Sequence, residues 1–158
     1  MKARWMLLAT LAALVVGMMA LASTAWAVPD GIPPEVVGTA PKDGAPDVAL
    51  DAKIKVKFSE PMKDRSVSFD PIEDTRAPNI YLTKADDPTT IIEATVDYVD
   101  EIIPVRAVLK PTVPLEPNTE YTVTVEGAGD GDMKAVKDAS GTPLASDYIF
   151  SFTTVSGP

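Results

Sequence analysis

The chain of 158 residues contains no cysteine and no histidine. Without these side chains it cannot form disulfides, thiol nucleophiles, a Ser-His-Asp triad or zinc sites of the usual ligand types. It also lacks a glycine-rich phosphate loop of the Walker or dinucleotide type. Carboxylate pairs for glycoside hydrolysis are available among the 23 acidic residues, but no spacing singles one out. These absences predict a protein that is not an enzyme, needs no cofactor and is stabilised by packing rather than disulfides.

Basic residues are scarce, and two of the 14 lie at the N-terminus. Lys2 and Arg4 precede a long uncharged run rich in Leu, Ala, Val and Met, and Ala25 and Ala27 fit an Ala-x-Ala cleavage site. This pattern predicts a signal-peptide helix over residues 1–27 and a secreted product that is extracellular, cell-surface or periplasmic. The apolar run is long for a leader, so a retained membrane anchor is the alternative. Cleavage would leave no segment for membrane insertion.

The segment after the leader suits one domain, which we place at residues 34–155 after an N-terminal arm at 28–33. Loss of the leader removes two basic residues and no acid, leaving 12 basic and 23 acidic residues and a net charge of −11. Nucleic acid and anionic membranes are therefore poor partners.

Alternating apolar and polar residues indicate strands along the whole chain. The clearest case is Tyr121, Val123 and Val125, which face one side of a segment that begins after a turn at Pro117 and Asn118. Seven or eight such segments separated by turns predict an all-β fold, a single antiparallel sandwich. The predicted strands are 35–39, 48–50, 52–58, 79–83, 92–99, 104–110, 121–125 and 148–154, and residues 85–90 are predicted to form a turn.

The second clear strand, 52–58, places Lys53, Lys55 and Lys57 on one outer face. Three lysines in this arrangement favour an ordinary solvated surface over a polyanion site. The segments 92–99 and 104–110 are expected to pair as a hairpin. Their outward residues would then bring Glu93 and Asp97 to the same face as Arg106 and Lys110.

Two loops are candidates for binding, 60–78 and 130–141. In the second loop, Asp130, Asp132 and Asp138 could supply oxygen ligands to calcium. Their spacing does not match an EF-hand, and Asp138 could instead cap the turn that leads to Gly141. Calcium is thus one of two interpretations of this loop.

Several stretches together resemble the bacterial Ig-like domain family of the type found in S-layer and other surface proteins. The specific ones are Phe-Ser-Glu-Pro-Met at 58–62 and Leu-x-Pro-x-Thr-x-Tyr at 115–121. The others are 41–47, 54–57, 109–111, 136–145 and 150–154, so the resemblance covers about residues 34–155. The family commonly has Asp after the Met, where this chain has Lys63. The resemblance implies secreted or surface modules that space, display or bind, and it supplies no catalytic residues.

The Leu115 to Tyr121 pattern is also similar, more distantly, to the tyrosine corner of fibronectin type III sandwiches, in which the Tyr hydroxyl bonds to nearby backbone. Phe150 and Phe152 are expected in the core. The residues expected to have structural roles are Phe58, Pro61, Met62, Leu115, Pro117, Thr119, Tyr121, Gly141, Phe150 and Phe152.

Two functions remain open at this point. One is a non-catalytic module that acts by contact with a protein or a surface polymer, in adhesion, assembly or display. The other is an extracellular or periplasmic ligand-binding protein, calcium-dependent and directed at glycans. The first predicts binding through loops or an edge strand, and the second predicts a pocket with converging polar groups.

Overall fold

The computed structural model describes residues 31–67, 78–101, 103–130 and 134–157. The leader and most of the arm therefore lie outside the described residues. Nine strands form within them: β1 (Val36–Ala40), β2 (Ala45–Val48), β3 (Ile54–Phe58), β4 (Ile80–Lys84), β5 (Asp87–Ile91), β6 (Ala94–Val99), β7 (Arg106–Pro111), β8 (Glu120–Val125) and β9 (Tyr148–Thr154). Two 3-10 turns, Asp64–Ser66 and Ala128–Asp130, are the helical elements of this described part.

The strands form two sheets that pack as a sandwich. The four-stranded sheet has the order β1-β3-β7-β6, and the five-stranded sheet has the order β2-β9-β8-β4-β5. The predicted all-β sandwich is confirmed. The expected hairpin is also present, because β6 pairs with β7 over six residue pairs from Ala94↔Pro111 to Val99↔Arg106.

Three details of the prediction are wrong. The strand expected at 48–50 lies instead at Ala45–Val48, in a stretch whose Pro and Gly content favours a turn. The segment 85–90, predicted as a turn, contains most of β5, which brings the number of strands to nine. Pro88 interrupts strands in sheet interiors, but β5 is an edge strand whose outer side needs no partner. The sandwich is also not wholly antiparallel, because β2 pairs with β9 in parallel. After β1 the chain crosses to the other sheet through a turn at Gly44 (φ 70°), whose N–H donates to Ser151 O at 2.8 Å.

The core lies between the sheets and follows the alternation of the strands. In β3, Ile54, Val56 and Phe58 are at most 1 % exposed, whereas the lysines between them are exposed. The opposite sheet contributes aromatic rings from β8 and β9, and the Tyr121 and Phe152 rings stack with centroids 5.8 Å apart. One face of each sheet is thereby buried in the core, and the other face of each sheet points away from it.

Candidate functional site

The outer face of the four-stranded sheet carries a cluster of cations, which we call the basic face: Lys53, Lys55, Lys57, Arg106 and Lys110. The register sets their arrangement, because Lys57 of β3 lies directly opposite Arg106 of β7. Residues opposite each other on neighbouring strands have Cβ atoms about 5 Å apart, and residues two apart on one strand lie about 7 Å apart. Like charges are thus held close together on a chain that is acidic overall.

The cations of β3 have few neutralising neighbours. Across β1, Lys57 faces Gly38 and Lys55 faces Ala40, neither of which carries a charge. Within the described part of the chain, neither Lys55 nor Lys57 forms an ion pair. The Nε of Arg106 is buried and has no hydrogen-bond partner among these residues. An unpaired buried donor is costly to the free protein.

One acid shares the face along the hairpin. Asp97 of β6 forms an ion pair with Lys110 of β7, as the sequence pattern leads one to expect. Arg106 lies opposite Val99 on β6, so it has no acidic residue directly across from it on that strand. The positive charge of the basic face is therefore concentrated on β3 and at the start of β7.

A surface cavity of about 330 Å³ lies at the end of the basic face. Lys53 and Lys110 line it together with Asp51 and with apolar groups, and Val113 is 62 % exposed there. The remaining lining residues are Leu50, Ala52, Pro111, Thr112 and Pro114. Lys110 is already paired with Asp97 and Asp51 offsets part of the charge, so Lys53 is the cation there without an ion pair in the described residues, beside a largely apolar floor. This lining suits a ligand that carries a single anionic group on an apolar surface.

A second surface cavity, of about 420 Å³, lies between the segments 32–36 and 144–148. It is also partly apolar, with Ile32 and Tyr148 in its wall. Its charged residues are Glu35 and Asp147, so its electrostatic character is opposite to that of the first cavity.

The outer face of the five-stranded sheet is rich in hydroxyl groups. Thr83 of β4 lies opposite Thr122 of β8, and Thr122 lies opposite Ser151 of β9. Glu126, just after β8, is only 7 % exposed. Burial, followed by the hydrogen bond with Glu126, raises the pKa of Tyr81 above its usual value. This face therefore uses its polar groups internally.

The Tyr121 ring is buried, and its hydroxyl accepts a hydrogen bond from the Glu116 N–H at 2.8 Å. The same turn is held by Thr154, whose Oγ1 accepts from the Thr119 N–H at 3.0 Å and donates to Glu116 O at 2.6 Å. Asn118 takes a positive φ of 51° at the tip. This is the geometry of a tyrosine corner.

Loop 60–67 is fastened to the 134–144 segment. Met62 is buried, and its N–H donates to the Tyr98 hydroxyl at 2.7 Å. Pro61 is exposed, but its carbonyl accepts from the Ala139 N–H at 3.0 Å. Ser66 Oγ donates to the Lys63 carbonyl at 2.7 Å and thereby closes the 3-10 turn. Residues 68–77 of the predicted binding loop lie outside the described residues.

Asp138, one of the three candidate calcium ligands, is 1 % exposed and caps its own turn. Its Oδ1 accepts from Ser140 Oγ at 2.7 Å and from the Thr142 N–H at 2.8 Å, and Gly141 takes a φ of 97° in that turn. Burial alone would raise the pKa of Asp138, but the hydrogen bonds from Ser140 and Thr142 outweigh it and hold the pKa below its usual value. The other carboxylate oxygen, Oδ2, is buried and has no partner within the described ranges.

The side chains of the other two candidate calcium ligands are not described by the structure. Asp132 lies outside the described residues, and so does the side chain of Asp130. Within the described residues, no group of three or more His, Cys, Asp or Glu side chains could hold a metal ion.

The remaining residues with expected structural roles lie as follows. Phe58, Leu115, Phe150 and Phe152 are each at most 4 % exposed. Pro117 is exposed, and its carbonyl accepts from Thr119 Oγ1 at 2.9 Å. All four buried residues belong to the single core between the sheets.

Sequence reasoning missed the basic face because it depends on strand register. The lysines of β3 were visible as an alternation, but nothing in the local sequence indicates that Arg106 lies across from Lys57. The signal that could have found it is the shared hydrophobic alternation of β3 and β7, had their pairing been considered.

Comparison with known proteins agrees with this architecture. The model of the bacterial Ig-like domain family matches residues 30–154. No curated protein matches the chain at a significant level.

Among solved structures, the N-terminal part of the bacterial S-layer protein SbsC is 19 % identical with a TM-score of 0.51. The match covers 78 % of this chain and 24 % of that one, so this chain spans about a quarter of that fragment. CopC from Methylosinus trichosporium OB3b is 12 % identical with a TM-score of 0.55, covering 79 % of this chain and 96 % of that one. At these identities the likeness concerns the fold alone. The family match over most of the chain, together with the two-sheet sandwich, shows that the chain belongs to the bacterial Ig-like domain family.

Proposed function

We propose that this protein is a secreted, non-catalytic Ig-like module that acts by contact with a protein or polymer at the cell surface, in adhesion, assembly or display. The observation that carries this proposal is the basic face, which holds five cations close together on an acidic chain, and of these only Lys110 forms an ion pair within the described residues. Such a patch steers and holds a partner of opposite charge.

The N-terminal pattern supports a location outside the cytoplasm. Residues 1–27 have the charge, apolar run and cleavage site of a signal peptide, which would leave the arm 28–33 and the domain 34–155. The structure, over its described ranges, contains no helix that is both long and apolar enough to span a membrane. An extracellular, cell-surface or periplasmic site suits a module of this family.

Composition supports a non-catalytic role. The chain has no His and no Cys, the residues most often used for proton transfer and thiol attack near neutral pH. Among the described residues, the basic face consists of Lys and Arg, and the acid that shares it, Asp97, is held in an ion pair by Lys110, which is an arrangement for binding.

Co-sedimentation with isolated cell envelopes of the source organism tests the proposal. We expect the secreted chain to pellet with the envelopes and to be released by about 0.5 M salt, where the screening length falls to a few ångström. A chain that stays in the supernatant at low salt would contradict contact with the surface.

A second candidate, calcium-dependent ligand binding, is favoured by the buried Oδ2 of Asp138, which has no partner in the described part of the chain. Asp130 and Asp132 would complete this site with further oxygen ligands. Millimolar calcium should then raise the melting temperature of the chain, and Asp138→Asn should abolish that rise. A melt that does not move with calcium removes this candidate.

A further inference from the structure

We propose that the basic face binds an acidic polysaccharide, a polymer of sugars that carry carboxylates, which lies along β3 with one sugar seated in the cavity beside Lys53 and Lys110. This inference rests on the proposed function and names the chemistry of the partner. It follows from the position of the cations, from the nature of the cavity and from the charge of the whole chain.

The cations lie on inner strands of the sheet rather than at its edge. Lysines often protect edge strands from pairing with other chains, but β3 lies between β1 and β7 and has no free edge. The close approach of Lys57 and Arg106 is unfavourable in the free protein, because like charges directly opposite each other repel. Neither edge protection nor stability explains these residues, and a bound anion would relieve their repulsion.

The lysine charges follow the line of β3 towards the cavity. Lys57, Lys55 and Lys53 succeed one another at every second residue, and the last of them lines the cavity. A row of charges about 7 Å apart suits an extended chain with repeated anionic groups better than a single small anion. Gly38 opposite Lys57 leaves room, since a Cβ there would meet only the lysine stem at 3.8 Å.

The cavity combines an apolar floor with charged side chains. Its floor is largely apolar, with Pro111, Val113 and Pro114, and Lys53 stands beside it. Lys110, also in the lining, is already paired with Asp97, and Asp51 adds one negative charge, so the cavity suits one carboxylate at Lys53 rather than several. A sugar ring offers an apolar C–H face and can carry a carboxylate, so it matches both parts of the lining. An inorganic polyphosphate has charge but no apolar face.

The net charge of the chain limits which polyanions can bind. A chain with a net charge of −9, or −11 after loss of the leader, repels dense polyanions at long range. A polysaccharide with one carboxylate per sugar is more sparsely charged than nucleic acid or polyphosphate. The attraction of the local cations for this polymer can therefore exceed the repulsion from the acidic residues elsewhere in the chain.

The test compares three soluble polymers by titration calorimetry with the secreted chain at low salt. Polygalacturonate carries both sugar and charge, its fully methyl-esterified form carries the sugar alone, and inorganic polyphosphate carries the charge alone. We expect polygalacturonate to bind at least about tenfold more tightly than either control, because only it satisfies both the cations and the apolar floor. Absence of binding, or equal binding of the ester or of polyphosphate, overturns the assignment.

Matched variants place the site. Lys55→Gln with Lys57→Gln should weaken polygalacturonate binding by about tenfold, because two charge-assisted contacts are lost. Lys63→Gln with Lys134→Gln makes the same change of charge at exposed positions outside the basic face and should alter affinity less than about twofold. Equal losses in the two double variants would show a general charge effect and overturn the site.

The cavity has its own pair of variants. Val113→Thr keeps the shape but removes apolar contact and should weaken polygalacturonate binding by about threefold, whereas Ile149→Thr, an exposed apolar residue on β9, should not. Equal affinity of Val113→Thr and the unaltered chain would contradict the sugar subsite.

Two further outcomes separate this inference from others. If the chain pellets with envelopes and the Lys55/Lys57 double variant pellets equally well, the surface function stands and the basic face is not its site. If the double variant changes the sedimentation coefficient of the protein without polymer, the occupant of the face is a second copy of this chain, and the polysaccharide assignment is overturned.

Discussion

The two sheets of this sandwich present opposite chemistry to solvent. The four-stranded sheet holds Lys57 and Arg106 side by side, and of its outward cations only Lys110 forms an ion pair within the described residues. The five-stranded sheet carries hydroxyl groups, and its buried acid Glu126 is engaged by Tyr81. The basic face leaves most of its positive charges without an opposite charge, whereas the polar groups of the hydroxyl face interact with one another. The loops and the hydroxyl face therefore maintain the fold, whereas the basic face is available for a partner.

The largest expected effect lies beyond the end of β8 in the five-stranded sheet. A Cβ at Gly127 would lie 2.1 Å from the Ser146 carbonyl carbon, and backbone there cannot yield cheaply. Gly127→Ala should therefore lower the free energy of unfolding by about 3 kcal/mol, as overpacking does. Urea denaturation measures the loss, and Gly129→Ala, where the space is open, is the matched control. Equal effects at the two glycines would contradict the tight packing.

The tyrosine corner gives the next effect. Tyr121→Phe keeps the stack on Phe152 but leaves the Glu116 N–H without its acceptor, so the free energy of unfolding should fall by about 1 kcal/mol. A melting temperature that is unchanged in this variant would argue against a stabilising corner. Polymer affinity should remain the same, which separates this region from the basic face.

Asp138 should make stability depend on acidity. Because its folded pKa is depressed, its contribution is fully present above the ordinary carboxyl pKa of about 4 and is lost as the pH falls through the lower folded value. Asp138→Asn should remove that part of the acid loss, so its stability should fall less between about pH 5 and 2 than that of the parent. Parallel pH curves for the two proteins would contradict this role.

The smallest expected change in stability belongs to the basic face. Lys55→Gln with Lys57→Gln should alter the free energy of unfolding by less than about 0.5 kcal/mol, with stabilisation the expected sign because repulsion from Arg106 is removed. A loss above about 2 kcal/mol in urea denaturation would show that these lysines serve the fold.

Local pattern sufficed for much of the fold. The alternation in β3, β8 and β9 predicted the apolar residues that form the core, although Thr124 on the outer side of β8 is buried as well, and the 115–121 motif predicted the family. Local pattern failed at β5, where Pro88 and two preceding acids suggest a turn although an edge position tolerates them. It also failed for the parallel pairing of β2 with β9, which depends on a change of sheet.

The candidate site was less accessible to sequence reasoning. The lysines of β3 alone favoured a solvated surface, and that interpretation changes only when register adds Arg106 to them. The cavity is likewise assembled from two segments, 50–53 and 110–114, that are distant in sequence. Both features depend on long-range pairing, which no local periodicity encodes.

Mapping of amide shifts in isotope-labelled protein on addition of polygalacturonate tests the central claim most directly. The account predicts that the perturbed signals cluster at residues 53–57 and 106–113, in and beside β3 and β7. Perturbations confined to the outer face of the five-stranded sheet, at 122–124 and 149–153, would contradict it.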